Sequence, residues 1–293
     1  MKDKNVFLDY LKYERNYSNN TIIAYENNIE KFFLYLKENN IVDLKAVNYQ
    51  VARNYISYLY KDNYQPKSIN RMLSAVRSFF KYLKMNNKIL LNPFELIEGP
   101  KIAKKLPKYL TINDCEKILL APDLSNKTGI RDALILELLY VTGIRVGELV
   151  NIQLNDILMP SKTIKIMGKG SKERIVFYGT RCDSLLKKYL QVRSSFFKTN
   201  IDYLIISNTG KQMSTKEIRN IINKLKTKAG IDMNISPHTF RHTFATHMLN
   251  EGASLRSVQE LLGHENLSTT TIYTHLTNEK LRKTYLMTHP RAR

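Results

Sequence analysis

Cysteine is scarce in this chain. Cys115 and Cys182 are the two in 293 residues, and they form no CxxC or other metal-spaced pair. Isolated thiols of this kind suit a reducing compartment and a structural role, and they exclude a disulfide framework or a zinc ribbon. Long apolar runs are missing as well. No segment approaches the roughly 18 apolar residues that a membrane span needs, and the opening MKDKNVFLDYLKYERN has no apolar core of signal-peptide length. The expectation is a cytoplasmic protein that does not touch a membrane. Acids are few beside bases, 26 Asp and Glu against 46 Lys and Arg, for a formal net charge of +20. So large an excess points to a polyanionic partner, above all nucleic acid. The rest of the composition, 43% hydrophobic and 25% charged, is that of an ordinary folded protein, and the length accommodates two domains.

Several chemistries lack their residues. Gly168-Lys169-Gly170 has the wrong spacing for a nucleotide-binding P-loop. His238 and His242 form HxxxH, but Thr239 stands where a zinc protease requires glutamate. No carboxylates cluster to supply the oxygen ligands of a two-metal nuclease. Neither a metal nor any other cofactor is therefore expected.

Taken in order, apolar residues recur at helical spacing from Val6 to Tyr13. After the capping cluster Tyr17-Ser18-Asn19-Asn20 a second helix is expected from Thr21 to about Lys37, its inner stripe Ile22, Tyr25, Ile29, Phe32, Phe33 and Leu36. A third helix from Tyr49 to Lys61 and a fourth from Ser68 to Lys84, after Pro66, complete an all-helical unit. Lys67, Arg71, Arg77, Lys81 and Lys84 decorate the fourth, either as a solvated face or as a phosphate-contacting one. Asn92-Pro93 and Gly99-Pro100 interrupt the pattern, and the basic KIAKKLPKYLT that follows, with Lys104 and Lys105, reads as a linker.

Beyond it, Thr111 to Asp114 carries an N-cap signal, and an apolar helix from about Gly129 to Val141 closes at Thr142-Gly143. In TGIRVGEL, Arg145 and Glu148 fall at a helix junction. Two β-rich runs, Thr163 to Met167 and Arg174 to Tyr178, make a hairpin whose glycine-flanked turn holds Lys169. Helices resume at about Asp183 to Arg193 and Thr215 to Ala229. Pro237 opens a further helix on which His238 and Arg241, three apart, are expected to meet on one face. His264, Tyr273 and His275 follow, and in NEKLRKTYLMTHPRAR the pair Leu281 and Tyr285 suits either docking in a partner or packing on its own domain.

Two arginines, a lysine, histidines and a tyrosine match a phosphodiester handled without metal. Guanidiniums stabilise the added charge of a pentacoordinate transition state, and a phenol can attack phosphorus to form a covalent link. At a pKa of about 10, only about one phenol in a thousand is ionised at pH 7 without nearby cations. The leaving alkoxide needs a proton, which a lysine on a flexible hairpin can supply.

TGIRVGEL, GKGSKER, HTFRHTFATHML and LLGHENLSTTTIYTH, with the terminal HPRA, resemble the motifs of the tyrosine site-specific recombinases of the phage integrase family, most closely the bacterial Xer recombinases. Gly147 and Phe240 stand where serine and leucine are frequent in that family. The resemblance implies a mainly α fold with a small β-hairpin or sheet, built as a two-domain clamp. Residues 1–86 would be a four-helix core-binding domain, 87–108 the basic linker, 109–286 a mixed α/β catalytic domain and 287–293 a tail. It implies that Arg145 and Arg241 bind the scissile phosphate, Lys169 protonates the leaving 5′ oxygen, His238 assists proton transfer, His264 hydrogen-bonds the phosphate and Tyr273 is the nucleophile, with Glu148 behind Arg145. Lys67, Arg71, Arg77, Lys81, Lys104 and Lys105 would meet DNA. Also implied are a specific recombination site in double-stranded DNA, a homo- or hetero-tetramer, a DNA translocase partner and a C-terminal segment docked in a neighbour. Dimer resolution of chromosomes or plasmids is the expected setting; a mobile-element integrase or a type IB topoisomerase-like relaxing enzyme would use similar groups.

Overall fold

The computed structural model describes residues 2–102, 108–168, 173–198, 201–263 and 278–292. The chain divides into two compact units, Met1–Lys105 and Leu106–Arg293. Among the described residues no helix is long and apolar enough to cross a membrane.

In the first unit, α1 (Lys2–Asp9) runs on as a π-helical turn, Tyr10–Glu14, and is followed by α2 (Asn19–Glu38), α3 (Tyr49–Lys61) and α4 (Pro66–Met85). Local chemistry sets the starts. The Ser18 hydroxyl accepts from the Thr21 N–H and the Asn48 side chain from the Val51 N–H, while Pro66 occupies the first turn of α4, where no N–H is needed. Asparagine sets the stops. Asn40, Asn63 and Asn87, just past the ends of α2, α3 and α4, lie at positive φ, the place glycine usually takes. Phe32 is the hub of the core, with its ring edge-on to Tyr55, Phe80 and Phe94 at centroid distances of 4.9, 5.8 and 5.4 Å.

Phe94 and Ile97, in the stretch expected to be linker, are buried in this core. Arg77 holds them there: its Nε donates to the Phe94 carbonyl at 2.8 Å and its Nη2 to the Ile97 carbonyl at 2.6 Å. Asn70 similarly donates to the Pro100 carbonyl. The prolines and glycine of this stretch break helices without freeing the chain from α4.

The second unit is built around α6 (Lys127–Thr142), which follows α5 (Ile112–Leu120) and is buried from Ala133 to Thr142. A helix buried on all sides belongs in the middle of a fold, and α8 (Thr180–Arg193) and α10 (Pro237–Asn250) pack on it. Between them come a single turn, α7 (Val146–Val150), and the strands β1 (Ile157–Leu158), β2 (Thr163–Met167) and β3 (Glu173–Phe177). The sheet is antiparallel in the order β1-β2-β3, with Ile164 opposite Val176 and Ile166 opposite Arg174. The expected hairpin is present, joined by a two-residue strand too short to leave a periodic signal. Helices α9 (Thr215–Lys228), α11 (Leu255–Leu262) and α12 (Asn278–Thr288) complete the unit.

The C-terminal segment packs on its own unit. Tyr285, His289 and Ala292 are buried, Tyr285 and Ala292 beside Phe177 and Phe244. Arg291 makes a two-pronged ion pair with Glu137 of α6, both contacts at 2.9 Å. The main chain lies so close to Gly179 that a Cβ there would stand 2.3 Å from the Arg291 carbonyl oxygen. His289 and Ala292, in the stretch expected to be a tail, are thus buried in the unit.

Candidate active site

Helix α6 stops at Gly143, whose φ of 61° and crowding against Phe244 and Leu262 leave no room for a side chain. Two residues later Arg145 caps α7. The Glu148 carboxylate reaches back to it, Oε2 accepting from the Arg145 backbone N–H at 2.8 Å and Oε1 from Nη1 at 2.9 Å. The Arg145 side chain remains 41% exposed, and its Nε and Nη2 have no partner among the described residues. One edge of this guanidinium is fixed and the other is free for an anion.

Arg241, from α10, is buried and turned inward. Nη1 donates to the Gly143 carbonyl and Nη2 to the Leu262 carbonyl, each at 2.7 Å. Burial is the main reason its pKa falls to about 10; the Arg145 and Arg174 charges lower it further, and Glu148 opposes them. It stays a cation at neutral pH. His238, three residues earlier on α10, is exposed and makes no hydrogen bond to Arg241, whose Nη atoms are given to the two carbonyls. Pro237 starts that helix as expected, with Ser236 and Thr239 capping each other.

Arg174 was not singled out by its sequence, yet it joins the site. It is 13% exposed, and its Nη1 and Nη2 contact the two oxygens of Glu148 at 3.0 and 2.8 Å. Its Nε donates to the Leu261 carbonyl at 3.3 Å. Strand alternation held the clue: Arg174 faces Ile166 on the buried side of the hairpin, where a charge requires a buried partner. Burial alone would raise the pKa of Glu148, but Arg174 first and Arg145 second outweigh it and leave the carboxyl below its ordinary range. The carboxylate is ionised and holds two cations.

Lys169, His264 and Tyr273 lie outside the described residues, as do Lys104 and Lys105. Glycine 263, the αL cap of α11 immediately before His264, is described and packs against the Arg174 side chain. His247 is a structural latch, its ring nitrogens paired with the Tyr140 hydroxyl and the Leu110 carbonyl. Among the described residues no three His, Cys, Asp or Glu side chains gather as metal ligands would. In the first unit Lys67, Arg71 and Lys81 are exposed on α4 and paired with no acid among the described residues. Arg77, expected in the same set, gives its Nε and Nη2 to two backbone carbonyls.

Comparison with known proteins gives the same picture across the chain. Residues 108–280 match the phage integrase family, and residues 5–87 match the phage integrase N-terminal SAM-like domain. The chain is 43% identical to tyrosine recombinase XerC of Staphylococcus saprophyticus subsp. saprophyticus, covering 100% of this chain and 98% of that protein. It is 42% identical to XerC of Anoxybacillus flavithermus, covering 98% and 97%. Among solved structures it resembles the XerH site-specific recombinase bound to its difH substrate before cleavage, with a TM-score of 0.71, 25% identity, and coverage of 94% of this chain and 82% of that one.

Proposed function

Because the chain belongs to the phage integrase family as a tyrosine recombinase close to the Xer enzymes, we propose that it resolves chromosome or plasmid dimers at a specific site through a 3′-phosphotyrosyl intermediate. The observation that carries the chemistry is the convergence of Arg145 and Arg241 around Gly143 and Glu148, one guanidinium half open and the other locked from behind. Such a pair binds the non-bridging oxygens of a phosphodiester and gains strength as the pentacoordinate transition state adds charge.

In this reading the phenolate oxygen of Tyr273 attacks phosphorus, the bond to the 5′ oxygen breaks, and Lys169 gives that oxygen its proton. His238 takes up the phenolic proton, and His264 hydrogen-bonds the phosphate. The phosphotyrosyl ester conserves the bond energy, so a 5′ hydroxyl from another strand can reverse the step without nucleotide or metal. Lys67, Arg71, Lys81, Lys104 and Lys105 contact the DNA backbone. Four protomers, alone or with a paralogue, act on two duplexes in the cytoplasm, and a DNA translocase brings the sites together. Similarity to XerC over nearly the whole chain favours this housekeeping role over a mobile-element integrase.

The test is to incubate the protein with fragmented genomic DNA of its host, trap covalent adducts and sequence the attached ends. Ends converging on one site, absent with Tyr273→Phe, support the reading. Adducts that persist with Tyr273→Phe overturn the nucleophile, undiminished cleavage by Lys169→Ala overturns the general acid, and ends without sequence preference point instead to a relaxing enzyme.

A further inference from the structure

We propose that Arg174 is a positioning residue for DNA cleavage, tying the segments that carry Arg145 and Arg241 into one site through Glu148 and the end of α11. The proposal rests on the recombinase reading and adds a residue to its machinery.

Three observations carry it. First, Glu148 has two guanidiniums on one carboxylate: Oε1 accepts from both Arg145 Nη1 and Arg174 Nη1, and Oε2 from Arg174 Nη2 and the Arg145 N–H. Arg174 therefore takes up part of the charge of Glu148. Without it the whole carboxylate would bear on Arg145 and compete with phosphate for the same guanidinium. Second, the last carbonyls of α11 are orphans of the helix end, and two arginines satisfy them, Arg174 at Leu261 and Arg241 at Leu262. Guanidiniums at a helix C-terminus also complement its dipole. Gly263 then turns at φ 66° directly over Arg174, where a Cβ would lie 2.9 Å from the arginine Cδ, and the next residue is His264. Third, Arg174 sits on β3 beside the buried face of the sheet, paired across from Ile166. At 13% exposure, against 41% for Arg145, it is placed to hold other groups and not the DNA.

A lysine cannot replace it, because one ammonium does not span both carboxylate oxygens and the Leu261 carbonyl as a planar fork does. The experiment measures single-turnover cleavage and equilibrium affinity on a nicked half-site duplex built from the sequence to which the parent attaches. Arg174→Ala should cleave about 100-fold more slowly, the scale of a small misplacement of reacting groups. Its affinity for the duplex should stay within about threefold, since a buried arginine displaces few counterions. Arg174→Lys, which keeps a cation beside Glu148 and so preserves the fold, should also fall by about tenfold or more. In Arg174→Ala/Glu148→Gln the competing charge is gone, and cleavage should recover by about tenfold over Arg174→Ala, a coupling expected of residues in direct contact.

Lysine cleaving like the parent overturns the proposal. So does a loss of affinity as large as the loss of cleavage with no recovery in the double variant, which is the signature of a merely structural arginine. A parent that forms no covalent adduct on any DNA overturns the recombinase reading itself, a result separate from both.

Discussion

Arg291→Ala should release the C-terminal segment from the second unit. Glu137 is 2% exposed and Arg291 12%, and their two contacts are both 2.9 Å, so the pair is desolvated and well formed. Removing one partner of such a pair costs about 3 kcal/mol or more, because the other is left as an uncompensated buried charge. The segment has little with which to absorb that loss, since the Tyr285 hydroxyl is already buried without a hydrogen-bond partner among the described residues, at a cost of about 1–3 kcal/mol. Undocking lets water reach Glu137, so the penalty falls on the segment and not on α6. Native-state hydrogen exchange measures this directly. At about 1.4 kcal/mol per decade, the amides of α12 should exchange about 100-fold faster in the variant, while those of α6 keep their rates. The paired replacement Glu137→Met/Arg291→Met, which removes both charges, should return α12 to within about tenfold of the parent. A change below about fivefold in α12, or equal acceleration in α6 and α12, would refute the reasoning.

Acidification should loosen the same segment. Burial chiefly, aided by His247 and Arg291 and opposed by the Tyr140 carbonyl, pushes His289 down to about 3. The unfolded state therefore takes up a proton from pH 6.5 downward while the folded state does not, and stability is full above that pH and falls by about 1.4 kcal/mol per unit toward pH 3; protection of α12 that does not weaken between pH 7 and 5 would contradict this. Gly143→Ala should lower stability by about 2 kcal/mol or more, because the residue is left-handed and a Cβ would stand 2.7 Å from Phe244, with thermal unfolding as the measure. Lys67→Ala, Arg71→Ala and Lys81→Ala should each flatten the dependence of log affinity for DNA on log salt by about 0.9. Arg77→Ala should leave that slope unchanged and instead destabilise the first unit by about 2 kcal/mol, the scale of hydrogen bonds to a charged donor; a flatter slope for Arg77→Ala would return it to the DNA-facing set.

Helices with chemical punctuation were legible in the sequence. Ser18, Thr111 and Pro237 each start a helix where side-chain chemistry says one should start, and the mostly apolar second half of α6 marks its central position. What the sequence hid was the destination of polar side chains. Arg77 and Lys81 sit on the same helix, but one finds carbonyls and the other is exposed, a difference set by where Phe94 docks. The prolines near Phe94 and Ile97 suggested free chain because they break helices; burial of two apolar side chains outweighed them. In the site, the motifs located Arg145, Glu148 and Arg241 but not their unequal exposure, which follows from carbonyls contributed by distant segments. Spacing placed His238 and Arg241 on one face of α10 but did not show which carbonyls Arg241 binds. Arg174 was visible only as a charge on the buried side of a hairpin.

The carboxylate of Glu148 has one more consequence, for the time before the protein is complete. Arg145 leaves the ribosome well ahead of Arg241, whose bond to the Gly143 carbonyl spans 98 residues. Contacts that distant close late in folding. The contacts of Glu148 with Arg145, by contrast, link residues only three apart. The half of the site that holds Arg145 is thus local in the chain, and the half that holds Arg241 waits for the tertiary contacts that finish the fold.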